Sequence, residues 1–232
     1  MWPIIQNYYD LFLRGLSITL LLAIVGTLGG FLLSLLFVAG RTQVVDHKRD
    51  KLGTKITKRT LSSTVLGYVT LFRGTPMLLQ AMIFFFGINM IPGIRIDALP
   101  IAIVVVTLNT TAYITEILRG AVNGIDKGQM EAARSLGFSR FKALMLFVYP
   151  QAIKNALPAI VSEFIVNLKD TAVLSVIGVM DLFRQSQFVY GLTFRLETFV
   201  IAGILYLLMT TIATVAALYL EKHLHKEVKL NA

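Results

Sequence analysis

The stretch Glu131-Ala132-Ala133-Arg134-Ser135-Leu136-Gly137, followed ten residues later by Phe147-Val148-Tyr149-Pro150, decides how the rest of the chain is interpreted. It lies in an amphipathic, cationic segment, 120–155, between two strongly apolar regions. A membrane protein has little reason to carry such a segment unless it acts outside the lipid. We therefore expect a partner protein to dock on it in the cytoplasm.

The composition identifies an integral membrane protein. Apolar residues make up 56% of the chain, charged residues only 15%, and the mean hydropathy is +0.72, which exceeds what a soluble domain carries. Runs of roughly 20 apolar residues are long enough to cross a membrane as helices, and unpaired backbone is too costly in lipid for other structures. We predict an all-α integral membrane protein, a single domain over 1–232 with five transmembrane helices at about 16–39, 65–88, 99–118, 157–180 and 196–220.

Two of these predicted spans have local features of their own. The first contains Gly26, Gly29 and Gly30, which permit close helix packing. The second contains Arg73-Gly74-Thr75-Pro76, so it either kinks there or begins there, because proline suits the first turn of a helix.

The basic residues predict the orientation. Most of the 22 Lys and Arg fall in the 41–59 loop, in the 119–154 segment and in the tail after Leu220. Cytoplasmic loops are enriched in these residues, so we expect the N-terminus outside and the C-terminus in the cytoplasm. The same topology explains the net charge of +9 without a nucleic-acid partner.

The sequence contains no motif that indicates catalysis. Neither a phosphate-binding loop nor an H-E-x-x-H motif occurs, there is no cysteine, and His47, His223 and His225 fall in predicted cytoplasmic regions. We expect no enzyme activity, metal or cofactor in this chain.

Polar side chains inside predicted spans are the candidate solute contacts, because such groups usually face a bundle interior or an aqueous path. One set has i, i+4, i+7 spacing on the third span and another repeats it on the fourth, so each set shares a helical face. The candidates are Asn109, Tyr113 and Glu116, and Glu163, Asn167 and Asp170 with the adjacent Lys169. A solute that carries both an ammonium and a carboxylate would suit such groups.

Structural roles compete with this interpretation. Glu116 is three residues before Arg119 and can pair with it along the helix, while Glu163 can be interfacial. Asp170 and Lys169 can form a polar contact between helices. Arg73 is interpreted as snorkelling or capping carbonyl groups near the cytoplasmic surface.

The 120–155 segment predicts two short helices. After a turn at 125–128, the first helix runs over 129–136 and ends at Gly137, which suits a left-handed cap. Ser139 is a plausible N-cap for a second amphipathic helix that Pro150 interrupts. A short helix held off a bundle suits insertion into a groove on another protein. The alternative is an amphipathic hairpin on the lipid surface.

These residues resemble a known signature. Glu131-Ala132-Ala133, Gly137 and Phe147-x-Tyr149-Pro150 resemble the E-A-A-x-x-x-G-x9-I-x-L-P loop of permease subunits of binding-protein-dependent ABC importers, with Phe147 and Tyr149 replacing Ile and Leu. Three further segments resemble the polar amino acid branch of that family: Phe72-Arg73-Gly74-Thr75-Pro76, Leu108-Asn109-Thr110-Thr111-Ala112-Tyr113 with Glu116, and Lys169-Asp170-Thr171.

The resemblance implies a type I ABC importer permease in a bacterial inner membrane. Glu131, Ala132, Ala133 and Gly137 would form the coupling loop, which docks on a separate ATPase subunit that binds ATP and Mg. The implied partners are two ATPase subunits, a second permease chain that is identical or related, and an external solute-binding protein. The implied amino-acid site lies within the spans, around Asn109, Tyr113, Glu116 and the 169–171 stretch.

Two functions from other classes remain as alternatives. An ion-gradient-driven secondary carrier of small polar solutes would use Glu163, Lys169 and Asp170 as a relay, although no inverted repeat is evident. A membrane anchor for a cytoplasmic complex would explain the docking helix but not the two polar faces. The sequence leaves open which amino acid is moved.

Overall fold

Most of the described part of the chain is helical and that part contains no strand, which confirms the all-α prediction. The structure is a computed structural model, and it describes residues 1–42 and 51–230. His47 and the side chains of His223 and His225 lie outside the described residues, so their predicted lack of a metal role stays a prediction. The helices are α1 Trp2–Arg41, α2 Leu52–Gly74, α3 Met77–Asn89, α4 Ala98–Asn123, α5 Lys127–Ser135, α6 Arg140–Ala143, α7 Tyr149–Asp170, α8 Leu182–Thr193 and α9 Glu197–Leu230, with a π turn at Leu144–Val148 and a 3₁₀ turn at Thr171–Ile177.

Three helices in the described ranges are long and apolar enough to cross a membrane: α1, α4 and the Glu197–Tyr219 part of α9. The pair α2 and α3 counts as a fourth if its two members form one bent span. The predicted runs 16–39 and 99–118 lie within longer helices, and the run 196–220 matches the first part of α9 except for Leu196. The predicted total of five spans remains a prediction.

The predicted second span consists of two helices. The helix axis bends by 104° between α2 and α3. The break falls at Thr75 and Pro76, as the sequence indicates. Thr75 has extended backbone (φ −123°, ψ 145°) because the ring of a following proline disfavours the helical conformation. Pro76 then caps the start of α3.

The region around the predicted fourth span differs from the prediction in two ways. Helix α7 ends at Asp170, so the second half of 157–180 is a 3₁₀ turn closed by Gly178 in the left-handed conformation (φ 93°). Our expectation that Pro150 interrupts a helix was wrong. The chain enters α7 through the π turn, and Pro150 occupies the first turn of α7, where proline is tolerated. Helix α8 was not predicted.

Helices α1 and α4 form the centre of the bundle. A Cβ added to Gly26 would lie 2.3 Å from Val106 Cγ1, and one added to Gly30 would lie 2.9 Å from Thr110 Cβ. Only glycine permits this approach, as the first span predicts. The buried Leu22, Ile114 and Leu118 flank the contact, so the polar face of α4 is held in a fixed position for the neighbouring helices.

Candidate functional site

A polar cavity of about 370 Å³ lies where the α2–α3 break, α4 and α7 meet. Five of the seven polar candidates from the sequence line it, and Glu116 and Lys169 are absent from its lining. The lining residues are Arg73, Gly74, Thr75, Pro76, Met77, Asn109, Tyr113, Glu163, Val166, Asn167 and Asp170.

Helical spacing explains how the candidates converge. Asn109 and Tyr113 are one turn apart on α4, and Glu163, Asn167 and Asp170 follow one face of α7 down to its last residue. Side chains at these spacings project from the same side of a helix. Because α4 and α7 pack with these faces toward a common space, the two sets line one cavity.

Arg73 belongs to the cavity, and our interpretation of it as a snorkelling or capping residue missed this. Its guanidinium carbon lies 5.2 Å from the centroid of the Tyr113 ring, a distance at which a cation is attracted to an aromatic face. The signal in the sequence was a charged residue within a predicted span, immediately before the Gly-Thr-Pro break.

Gln80 is a second residue that the sequence analysis missed. Its side-chain nitrogen donates to the Phe72 carbonyl oxygen at 2.9 Å and to the Thr75 carbonyl oxygen at 3.0 Å. Asn109 Nδ2 in turn donates to Gln80 Oε1 at 3.0 Å and to the Phe72 carbonyl oxygen at 3.4 Å. The Phe72 and Thr75 carbonyl groups lack helical partners because α2 ends here, and these side-chain bonds replace those partners. Gln80 and Asn109 therefore stabilise the break between α2 and α3, next to Arg73.

Asn167 joins three helices beside the cavity. Its Nδ2 donates to Thr27 Oγ1 on α1 and to Thr110 Oγ1 on α4, both at 2.9 Å. The residue is only 3% exposed. Both hydrogens of its amide nitrogen are thus used within the protein.

The charged groups of the cavity are one guanidinium and two carboxylates. Glu163 interacts electrostatically with both Asp170 and Arg73, and Asp170 also interacts with the neighbouring Lys169. A guanidinium binds carboxylates through paired hydrogen bonds, and a carboxylate binds ammonium groups. The cavity therefore holds the groups needed to bind a zwitterion.

Glu116 is engaged elsewhere. Its Oε2 accepts from Arg119 Nε at 2.8 Å and its Oε1 accepts from Arg41 Nε at 3.5 Å. The pairing with Arg119 is the structural alternative that the sequence offered for Glu116. Arg41 ends α1, so this carboxylate also joins α1 to α4 near the side of the 120–155 segment.

The 120–155 segment contains two short helices, α5 and α6, joined by a tight turn, and α6 leads through the π turn into α7. Asp126 Oδ1 accepts from the Gly128 N–H at 2.6 Å and starts α5. Gly137 adopts the left-handed conformation (φ 86°), and the Phe138 N–H closes the helix on the Ala133 carbonyl oxygen at 3.2 Å. Ser139 caps α6 by accepting from the Lys142 N–H at 3.3 Å. The predicted glycine stop and serine cap are both confirmed.

The first of these helices presents an exposed face. Glu131 and Ala132 are exposed, whereas Ala133 is 3% exposed and packs inward. Leu136 is 76% exposed and Phe141 62%. Exposed apolar side chains beside an exposed carboxylate are typical of a surface that binds another protein.

A ring contact and a hydrogen bond connect the 120–155 segment to α7 and α1. The Phe138 and Phe147 rings meet edge to face with centroids 5.2 Å apart. The Tyr149 and Thr42 hydroxyl oxygens are 2.7 Å apart and share a hydrogen bond, and burial raises the pKa of the Tyr149 phenol. A displacement of α5 would thus reach the ends of α7 and α1 through contacting side chains.

No group of three or more His, Asp or Glu residues in the described ranges is arranged to hold a metal ion.

The sequence matches known proteins over most of its length. Residues 53–226 match the family described as binding-protein-dependent transport system inner membrane component. The chain is 40% identical over 165 residues to the arginine transport system permease protein ArtQ of Bacillus subtilis, covering 71% of this chain and 74% of that protein. It is 33% identical over 228 residues to the glutamine transport system permease protein GlnP of Escherichia coli, covering 96% and 97%.

Solved structures agree in fold. A crystal structure of an amino acid ABC transporter with histidines contains a chain that superposes with a TM-score of 0.83 and 32% identity, covering 94% of this chain and 96% of that one. A chain of the inward-facing MetNI methionine ABC transporter superposes with a TM-score of 0.76 at 20% identity, covering 94% and 98%, and shows the fold alone. The chain belongs to the inner membrane components of binding-protein-dependent transport systems, as a multi-pass ABC importer permease of the polar amino acid type.

Proposed function

We propose that this chain is the permease subunit of an ATP-driven importer of polar amino acids. Residues 1–232 form one permease domain with five spans, the N-terminus outside and the C-terminus in the cytoplasm. The relatives named as arginine and glutamine transport permeases support this substrate class. The energy source is ATP with Mg, bound by two separate ATPase subunits, and an external solute-binding protein delivers the amino acid.

The observation that carries the proposal is that one helical bundle holds both an exposed helix suited to docking and a charged cavity. Glu131, Ala132 and Gly137 lie on the free side or at the end of α5, and Ala133 anchors it. Closure of the ATPase subunits displaces α5, and the ring contact of Phe138 with Phe147 passes the displacement to the π turn that leads into α7. The Tyr149–Thr42 hydrogen bond passes it to the end of α1. Because α7 carries four of the eleven residues that line the cavity, the motion changes access to the site.

The cavity candidates divide into two roles under this proposal. Tyr113, Glu163 and Asp170, together with Arg73, contact the amino acid. Asn109 and Asn167 line the same path but act mainly by holding the helices in place. Glu116 and Lys169 lie outside the lining, so their proposed influence on the path is indirect.

The experiment is purification of the chain from its native membrane with its partners, followed by ATPase assays with a panel of amino acids and the binding protein. Recovery of an ATPase subunit, with hydrolysis stimulated by a polar amino acid, is expected. A chain recovered without an ATPase that supports ion-driven flux in vesicles would contradict the proposal and establish the secondary carrier instead.

A further inference from the structure

An apolar groove of about 280 Å³ lies beside the 120–155 segment. Its lining shares no residue with the polar cavity, so the groove is a separate feature of the bundle. Every residue of the lining is apolar except Tyr149, which contributes a hydroxyl group. Three helices, α1, α4 and α7, form the walls, which include Leu35, Val38, Leu118, Val122, Ala152 and Ile153.

The groove opens onto a surface suited to lipid. Met145 and Pro150, which also line it, are exposed. On α1, Leu32 and Leu36 lie next to the lining residue Leu35 and are 63% and 70% exposed. Helix α1 is long and apolar enough to cross a membrane, and apolar side chains on the outside of such a helix contact hydrocarbon. An acyl chain can therefore enter the groove from this surface.

One end of the groove is polar. The Thr42 hydroxyl donates to the Val38 carbonyl oxygen at 2.8 Å. A hydroxyl group has one hydrogen to donate, so Tyr149 is the donor in the 2.7 Å hydrogen bond between the Tyr149 and Thr42 hydroxyls. The Tyr149 hydroxyl therefore points out of the apolar lining toward Thr42, which directly follows Arg41.

Two guanidinium groups lie near this polar end. Arg41 is one turn after Val38 on α1, and Arg119 is one turn before Val122 on α4, so each follows the helical face of a lining residue. Both donate through Nε to Glu116, at 3.5 Å and 2.8 Å. Each guanidinium has four further N–H groups, and such groups bind phosphate in pairs. Two cations with one shared carboxylate give this described cluster a net positive charge.

We propose that the groove binds an acyl chain of an anionic phospholipid whose phosphate group contacts Arg41 and Arg119. The apolar walls and the cationic end match the polarity of such a lipid. Val38 and Leu118 lie at the ends of two predicted spans, 16–39 and 99–118, which is the depth where hydrocarbon meets headgroups. Basic pockets between helices on the cytoplasmic side of a membrane bind anionic headgroups, and the proposed orientation places this end there. A zwitterionic lipid gains less, because its own cation opposes the two arginines.

The test is photolabelling of the purified complex in phosphatidylcholine nanodiscs. Phosphatidylglycerol with a diazirine in its acyl chain is added at low mole fraction, and phosphatidylcholine with the same chain is the reference probe. Mass spectrometry should find label within 118–122 and 145–153, about fivefold more with the anionic probe. The exposed Leu207 and Leu208 on α9 should be labelled equally by both probes. Equal labelling of the groove by both probes would overturn the proposal, as would a groove without label because another protein segment covers it.

Variants with opposite expected effects separate lipid binding from damage to the fold. Arg41→Gln and Arg119→Gln should each lower groove labelling by the anionic probe about fivefold. Glu116→Gln should raise it, because this change removes the carboxylate that competes with the phosphate for both arginines. The control is Arg14→Gln, which removes an exposed cation at the other end of α1 and should leave groove labelling unchanged. A change of the same sign in all three variants, or no change in either arginine variant, would overturn the proposal.

Discussion

Asn109 Nδ2 donates to Gln80 Oε1 at 3.0 Å, and this bond joins the polar face of α4 to the helix that follows the Gly-Thr-Pro break. Gln80 also donates to the Phe72 and Thr75 carbonyl oxygens at the break. The position of Arg73 therefore depends on a residue that itself lies outside the cavity lining.

Replacing Gln80 by Met should destabilise the protein. The change keeps the side-chain length but removes the donor to the Thr75 carbonyl oxygen, one of two donors to the Phe72 carbonyl oxygen and the acceptor of Asn109 Nδ2, at a cost of about 1–3 kcal/mol for a buried unsatisfied group. Unfolding in mixed micelles containing SDS measures the loss. Gln6→Met on the exposed side of α1 is the control, and an equal effect of both variants would contradict the role assigned to Gln80.

Glu116 and Arg119 should show an energetic coupling that is separate from substrate binding. The carboxylate is partly buried, at 16% side-chain exposure, and bonds to Arg119 at 2.8 Å. A double-mutant cycle with Glu116→Gln and Arg119→Gln should give a coupling energy of about 0.5–1 kcal/mol. Amino-acid affinity should stay unchanged, because Glu116 does not line the cavity. A large loss of amino-acid affinity in Glu116→Gln alone would show that Glu116 belongs to the amino-acid site.

Gly137→Val should uncouple ATP hydrolysis from the amino acid. Gly137 has φ 86°, and a left-handed conformation costs an ordinary L-residue about 1–2 kcal/mol, so the end of α5 should distort. Substrate stimulation of ATPase activity should fall strongly while amino-acid binding persists. Gly137→Asn is the conservative variant, because Asn tolerates this conformation, and it should retain most of the stimulation. Equal effects of Val and Asn would indicate that the backbone conformation is not the cause.

Substitutions at the neighbouring Ala132 and Ala133 should have different effects, one on ATPase attachment and the other on thermal stability. Ala133 is 3% exposed whereas Ala132 is exposed. Ala133→Leu overfills a packed position, which typically costs about 1–3 kcal/mol, and should lower the melting temperature of the chain. Ala132→Leu should leave that temperature unchanged but weaken attachment of the ATPase, measured by its recovery on purification. The reverse pattern would show that the opposite face of α5 docks.

Glu131→Lys should weaken the same attachment through charge alone. The side chain is exposed on α5, so its reversal has little effect on folding, since exposed surface substitutions are usually within about 0.5 kcal/mol. ATPase recovery and stimulated hydrolysis should both fall. Asp10→Lys, at an exposed carboxylate near the N-terminus, provides the control. Normal coupling in Glu131→Lys would remove this residue from the docking surface.

The sequence predicts features that depend on neighbours along the chain. The glycine stop at Gly137, the serine cap at Ser139 and the break before Pro76 each follow from a local backbone preference, and the structure confirms all three. Helical spacing likewise placed Asn109 and Tyr113 on one face. These rules need only a few consecutive residues.

Features that depend on distant partners were not predictable in the same way. Glu116 contacts Arg41, which lies 75 positions earlier, and no periodicity identifies such a partner. Gln80 appears as one polar residue in an apolar run until the fold places Phe72 and Asn109 beside it. Helix α8 was missed because its sequence, Leu182–Thr193, is neither apolar enough for a span nor bounded by strong caps at both ends.

The central claim, that ATP hydrolysis in a partner drives amino-acid uptake through this chain, is tested most directly in proteoliposomes. The complex is reconstituted with the binding protein on the uptake side, and accumulation of labelled L-arginine is compared under two conditions. One supplies ATP and Mg to the ATPase side without an ion gradient, and the other imposes a proton or sodium gradient without ATP. Accumulation only with ATP is the predicted result, and accumulation driven by the gradient alone would contradict it.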